Sequence, residues 1–169
     1  MKCKFLLIAF FLCTILKAQD KTIIITESDL SYTNQTWLYS GNKGLQEDKI
    51  KQNWDTGKRI TSAAYTSNGW FVTMANDSYI GAQTYRLSAS IPKDWIKEKW
   101  NEGYYITSTA YSGTQWLIIM SKHNSFHAQS YYCNTWENLR NWIRKKWDDS
   151  YEITEHKAIL SVGIIFLTG

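Results

Sequence analysis

Ile50-Lys51-Gln52-Asn53-Trp54, Ile96-Lys97-Glu98-Lys99-Trp100 and Ile143-Arg144-Lys145-Lys146-Trp147 are one pattern written three times, with the tryptophans 46 and 47 residues apart. The residues that follow keep step. Ile60-Thr61-Ser62, Ile106-Thr107-Ser108 and Ile153-Thr154-Glu155 come after the three tryptophans. Trp70-Phe71-Val72-Thr73-Met74 then matches Trp116-Leu117-Ile118-Ile119-Met120, and Gln83-Thr84-Tyr85 matches Gln129-Ser130-Tyr131. Large residues held in register over this distance mark an internal repeat of about 46 residues.

Each copy translates into elements. Positions i and i+4 share a helix face, so every Ile-to-Trp segment reads as a short helix. Pro92 suits a first helical position and Thr135 can cap the third helix. Gly57 and Gly103 lie where a left-handed residue ends a helix, and Ser150 replaces that glycine, predicting a looser end to the third. Two strands follow each helix. Arg59 to Tyr65 and Trp70 to Ala75 flank Ser67-Asn68-Gly69, a hairpin signal. Alternation puts Trp70, Val72 and Met74 on one face, and likewise Trp116, Ile118 and Met120. A third strand carries Gln83 to Leu87, and again Gln129 to Cys133. The copy therefore reads helix, strand, strand, strand.

The ends carry partial copies. Gln35-Thr36-Trp37 matches Gln83-Thr84-Tyr85, and at the same offset Ile23-Ile24-Ile25 falls on Phe71-Val72-Thr73. Ile164-Ile165-Phe166-Leu167 falls on Leu117-Ile118-Ile119-Met120, with Gly163 where Trp116 would be. Either the N-terminal strands complete the last copy and close the array, or the chain is a piece of a longer array with a strand edge open to pairing.

Ahead of the repeats, Met1-Lys2-Cys3-Lys4 is basic, Phe5 to Leu16 is an uncharged run of twelve residues, and Lys17-Ala18-Gln19 follows. This is the pattern of a signal peptide over residues 1–19, cleaved after Ala18 or Gln19, and too short for a membrane span. Lys2, Lys4 and Lys17 leave with it, so 19 basic residues become 16 against 15 acidic ones and the charge falls from +4 to +1. No electrostatic case for nucleic acid survives. Cys133 is then the lone cysteine, so no internal disulfide forms. Nine tryptophans, eleven tyrosines and one proline fit a strand-rich fold with an aromatic core.

The stretch from Pro92 through Trp95, Ile96, Trp100 and Gly103 to Ser108, followed by Trp116 to Ser121, resembles the repeat in the C-terminal region of plant casein-kinase-I-like protein kinases. That region is similar to a domain of unknown function also found in bacterial proteins. The resemblance runs from about Trp70 to Thr154. It includes neither a Gly-rich phosphate loop nor a catalytic-loop motif. It implies a non-catalytic recognition or assembly module and transfers no ligand or functional residue.

His123 and His127, four apart, with Cys133 six further on, sketch a zinc set. The preceding copy has Asp77 and Gly81 at the histidine positions and no fourth ligand is evident, so these read as loop residues and neither metal nor cofactor is expected. His156 has no partner for nucleophilic work. Cys133 falls on the apolar Leu87 position, predicting a buried, inert thiol. Asp148-Asp149 and Glu98 with Glu102 stand among basic neighbours on solvated helix faces. Trp54, Trp100, Trp147, Trp70 and Trp116 recur, as do Gly57 and Gly103, and these are read as structural repeat residues. Aromatics outside the repeat are the ligand candidates: Tyr105, Trp136, Tyr104 and Trp37 first, with Tyr79, Phe126 and Tyr132 behind them.

The sequence thus predicts a mainly β (α+β) fold of antiparallel strands with one short helix per repeat, in a propeller-like or stacked array. Residues 20–169 form one repeat domain: partial copy 22–47, copies 48–92 and 93–138, and partial copy 139–169. The expected role is a secreted or periplasmic, non-enzymatic binding or scaffold module of a bacterial envelope. Its partner is a protein or a polysaccharide, with self-association through the end strands. A lectin-like module using exposed Trp and Tyr is the alternative. An enzyme comes third, and would need a convergent polar cluster that the sequence does not display.

Overall fold

A computed structural model describes residues 32–168 apart from 42, 124, 125, 160 and 161, with 154–168 followed as backbone. The leader over 1–19 and the strand expected at Ile23–Ile25 lie outside the described residues. In chain order the elements are β1 (Thr33–Tyr39), α1 (Glu47–Asp55), β2 (Arg59–Thr66), β3 (Gly69–Asn76), β4 (Ile80–Ser88), α2 (Lys93–Asn101), β5 (Tyr105–Tyr111), β6 (Trp116–His123), β7 (Gln129–Thr135), α3 (Trp136–Asp148), β8 (Glu152–Ile159) and β9 (Val162–Thr168).

These strands form three antiparallel sheets of one connectivity: β1-β3-β2, β4-β6-β5 and β7-β9-β8. The mainly β, antiparallel expectation with three short helices is borne out. The grouping of strands differs from the sequence-based copies. The strand that ends one copy pairs with the second strand of the next, so β4 joins β6 rather than β3, and each sheet reads strand, helix, strand, strand. Gly163 accordingly sits in the central strand β9, between Asn134 of β7 and Ala158 of β8. Among the described residues the sheets close into neither a barrel nor a propeller. β1 pairs within the first sheet, so it does not complete the last one.

The short helices hold by packing rather than by length, since helices below about 12–15 residues are marginal alone. Ile50 and Ile96 are fully buried and Ile143 is 6% exposed, while their neighbours face water. All three helices end in the same pair of backbone bonds. The amide N–H groups of Gly57 and Lys58 reach the carbonyls of Trp54 and Asn53; Gly103 and Tyr104 do so with Trp100 and Lys99, and Ser150 and Tyr151 with Trp147 and Lys146. This Schellman closure needs a left-handed residue, and φ is 84° at Gly57, 81° at Gly103 and 65° at Ser150. The looser third end expected from Ser150 is therefore not what forms. The serine adopts the strained conformation because the bonds it closes require it. Pro92 is the residue before α2 rather than its first, and Thr135 precedes α3 without a capping side-chain bond.

A shift in strand register recurs between Ile60 and Ser62, Ile106 and Ser108, and Ile153 and Glu155. It puts residues three apart on one face. Ile60 and Ala63 pair with Met74 and Val72, and all four are buried. In the core, Ile50 of α1 and Trp70, Val72 and Met74 of β3 cluster with Ala110, Leu117 and Ile119 of the second sheet. The other face of β6, Trp116, Ile118 and Met120, packs on Ile96 of α2. Buried on both sides, β6 reads as a continuous apolar run, whereas β3 alternates.

Candidate binding surface

One joint is built twice. Gln83 on β4 accepts the indole N–H of Trp54 at 3.1 Å and the backbone N–H of Ile60 at 2.7 Å, and donates its own amide to the Ile60 carbonyl at 2.9 Å. Gln129 on β7 repeats this with Trp100 at 3.1 Å and with the N–H and carbonyl of Ile106 at 2.6 and 2.7 Å. Trp54 leans on Tyr85 and Trp100 on Tyr131, with centroids 5.7 and 5.8 Å apart and the same 50° tilt. A glutamine amide matches the backbone's donor and acceptor pair, and so joins a sheet to the start of the preceding one. Ser108 adds an Oγ that accepts the buried N–H of Ala63 at 3.1 Å.

The face that Tyr85, Leu87, Leu117 and Ile119 turn toward α1 and the first sheet is covered. Its counterpart on the first sheet is not. There Trp37 is 64% exposed and Tyr39 40%, and Phe71 stacks beside Trp37 at 6.1 Å and 19°. Antiparallel pairing sets Trp37 opposite Thr73 and Tyr39 opposite Phe71, so the three rings share one face. Trp37 was expected as a ligand candidate. Tyr39 and Phe71 were missed, although both lie in alternation with it, and Phe71 falls on the Leu117 position.

The other candidates do not assemble with Trp37. Tyr105 meets Phe126 edge-on at 5.8 Å, Phe126 stacks on His123 at 4.2 Å, and Tyr79 lies 6.4 Å beyond. The Tyr105 hydroxyl donates to the His127 carbonyl at 3.3 Å. Burial lowers the His123 pKa below its usual value, and the charge of Asp77 opposes this. Tyr104 packs against the second core cluster with Lys122 over its ring. Trp136, at the start of α3, is 65% exposed, and Tyr132 stacks on Trp142 instead. Of the structural repeat residues, Trp70 and Trp116 are buried and Trp54 and Trp100 half-buried, but Trp147 is 56% exposed. No core position forms around Trp147 because no described sheet follows it.

Between the β4–α2 connection and β7 lies an open groove of about 900 Å³, lined by Arg86, Lys93, Trp95 and Cys133 among others. Cys133 is exposed, correcting the buried thiol expected from Leu87. Partial burial of its sulfur still raises its pKa, against the pull of Lys93, so the thiol stays protonated at neutral pH. Arg86 lies over the Trp95 ring at 5.8 Å. Near the end of α2, Lys99 pairs with Glu102 at 2.8 Å and with Glu98 at 3.4 Å. No group of three or more metal-ligating side chains occurs among the described residues, and no described helix is long and apolar enough to cross a membrane.

Against this geometry, residues 8–168 match the model of the family described as Domain of unknown function (DUF7477), and the chain belongs to that family. Neither a curated protein nor a solved structure matches it.

Proposed function

We propose that the chain is a secreted, non-enzymatic module that binds or scaffolds proteins, and that the outer face of the first sheet receives the partner. The observation that carries this is the exposure of Trp37 and Tyr39, with the half-buried Phe71 beside them, on a face whose counterpart in the second sheet is packed against the core. A contiguous aromatic face left to solvent is the usual mark of an interaction site, and flat rings anchor such interfaces at low entropic cost. The leader-like first 19 residues favour export, and the likeness to the plant kinase C-terminal repeat favours a recognition role. We read the sheets as successive layers of a stacked repeat array.

A lectin-like role is the second reading, because Trp37 and Phe71 lie nearly parallel and present ring faces of the kind that sugars stack on. Placing a photoreactive amino acid at residue 37 in producing cells separates the two. Protein adducts at that position are expected. A lack of protein adducts, together with a saturable tryptophan fluorescence change on adding envelope polysaccharide that Trp37→Ala abolishes, would replace protein binding by sugar binding.

A further inference from the structure

We infer that the partner on the first sheet's outer face is a second copy of this chain, which docks α3 and the start of β8 there in the joint that the molecule already makes twice within itself. This rests on the protein-binding reading and names its partner.

The chain carries both halves of that joint unfilled, one toward each end. The acceptor half is on β1. Gln35 and Trp37 stand where Gln83 and Tyr85 stand on β4, and Gln35 is exposed with no side-chain hydrogen bond among the described residues. The donor half is at α3 and β8. Trp147 and Ile153 stand where Trp54 and Ile60, and Trp100 and Ile106, stand in the filled joints. Ile60 is 1% exposed and Ile106 4%, yet Ile153 is 40% exposed. Trp147 is likewise open, although the helix end that positions it is closed by the same backbone bonds as in α1 and α2. One residue type in one local geometry is therefore covered twice and uncovered once among the described residues.

The halves are chemically complementary. Gln35 Oε1 of one copy would accept the Trp147 indole N–H and the Ile153 N–H of the other, and its amide would donate to the Ile153 carbonyl. Trp147 would then lean on Trp37 as Trp54 leans on Tyr85. Ile153 and the Trp37–Phe71–Tyr39 face would leave water together, which supplies the apolar gain that hydrogen bonds alone lack. The contact is head to tail, so each copy retains one free half and association propagates.

Sedimentation velocity of the chain purified from producing cells tests this, with Gln35→Ala and Trp147→Ala, both at exposed positions. The wild type should form species that grow with concentration, and each variant alone should associate about tenfold or more weakly. Mixing the two variants should restore a dimer and nothing larger, because each contributes one intact half. A wild type that stays monomeric, oligomers indifferent to both substitutions, or a mixture without dimer would overturn the inference. Residue-37 adducts to a different protein would overturn it too while leaving the broader protein-binding reading standing. Adducts to residues 1–31 of the same chain would show that the face is covered from within.

Discussion

Gln83 Oε1 lies 3.1 Å from the indole nitrogen of Trp54, with the Ile60 N–H at 2.7 Å on the same oxygen. The second sheet thus holds the helix and the first paired strand of the preceding unit through one side chain. Removing it takes the partner from the Trp54 indole N–H and from the Ile60 N–H and carbonyl, and a 2.9 Å bond from Ser121 Oγ, in a half-buried seam. Gln83→Leu should lower the unfolding free energy by about 2–3 kcal/mol, the cost of unsatisfied buried groups, and Gln129→Leu by a similar amount. Urea denaturation checks this; a loss within error of a surface substitution would mean that water replaces the amide freely.

Ser150 is the left-handed residue that two of the three helix ends assign to glycine. Ser150→Gly should stabilise the protein by about 1 kcal/mol, since a side chain in that conformation costs roughly 1–2 kcal/mol before the entropy of glycine is counted. Gly103→Ala should do the reverse by a similar amount. A Cβ there meets nothing within 4 Å, so the penalty is conformational alone. Thermal unfolding of the two variants gives the signs.

At Gly69 the objection is steric as well. A Cβ would overlap the Gly41 carbonyl oxygen and lie 2.6 Å from Ser40 Oγ, on a residue with φ of 143°. Ser40 cannot yield, because it holds Trp70 through a 2.8 Å bond from its N–H to Oγ and a 3.0 Å bond to its carbonyl. Gly69→Ala should therefore destabilise by more than about 2 kcal/mol and lessen the burial of Trp70, seen as a red-shifted emission.

Tyr85 donates its hydroxyl to Glu47 at 2.9 Å. Burial first, then that bond and the charges of Glu47 and Asp48, hold its pKa well above the usual 10.0. The folded state keeps this proton when the unfolded state has lost it. Its contribution is whole below about pH 10 and declines as pH rises beyond that. Tyr131 is shifted the same way, chiefly by burial. The urea midpoint should fall between pH 8 and pH values above 10, and that of Tyr85→Phe should fall less. An equal decline in both proteins would assign the effect to other tyrosines.

Cys133 is exposed yet carries a raised thiol pKa. Its alkylation at neutral pH should be slower than that of free cysteine, and should accelerate only above the ordinary thiol value of 9.0. A rate at neutral pH above that of the free amino acid would identify an activated thiol.

The antiparallel strands and three short helices were legible in the sequence because each depends on contacts within a few residues. An Ile and a Trp four apart must share a helix face, a left-handed residue must close the helix, and alternating apolar residues must meet in a central strand. Ser150 shows the limit of that legibility. Residue preference pointed to a different helix end, but the backbone bonds made by Tyr151 and Ser150 outweigh the strain of one serine.

Strand partnership was not legible. The hairpin of β2 and β3 is local, set by its short turn, whereas the pairing of β1 with β3 and of β4 with β6 spans a whole helix and strand between. Nothing in the residue order tells a closing strand of one unit from an opening strand of the next. The same holds for exposure. Trp54 and Trp147 hold equivalent places in the pattern, as do Ile60 and Ile153, yet Ile60 is buried and Trp54 half-buried where Ile153 and Trp147 are exposed. Sequence by itself determined that the chain is mainly β with three short helices and roughly where those helices and strands fall, because these depend on contacts within a few residues. The tertiary structure alone decided how strands are shared between units and which copies of the same residues face water, because both depend on long-range burial that no single unit contains.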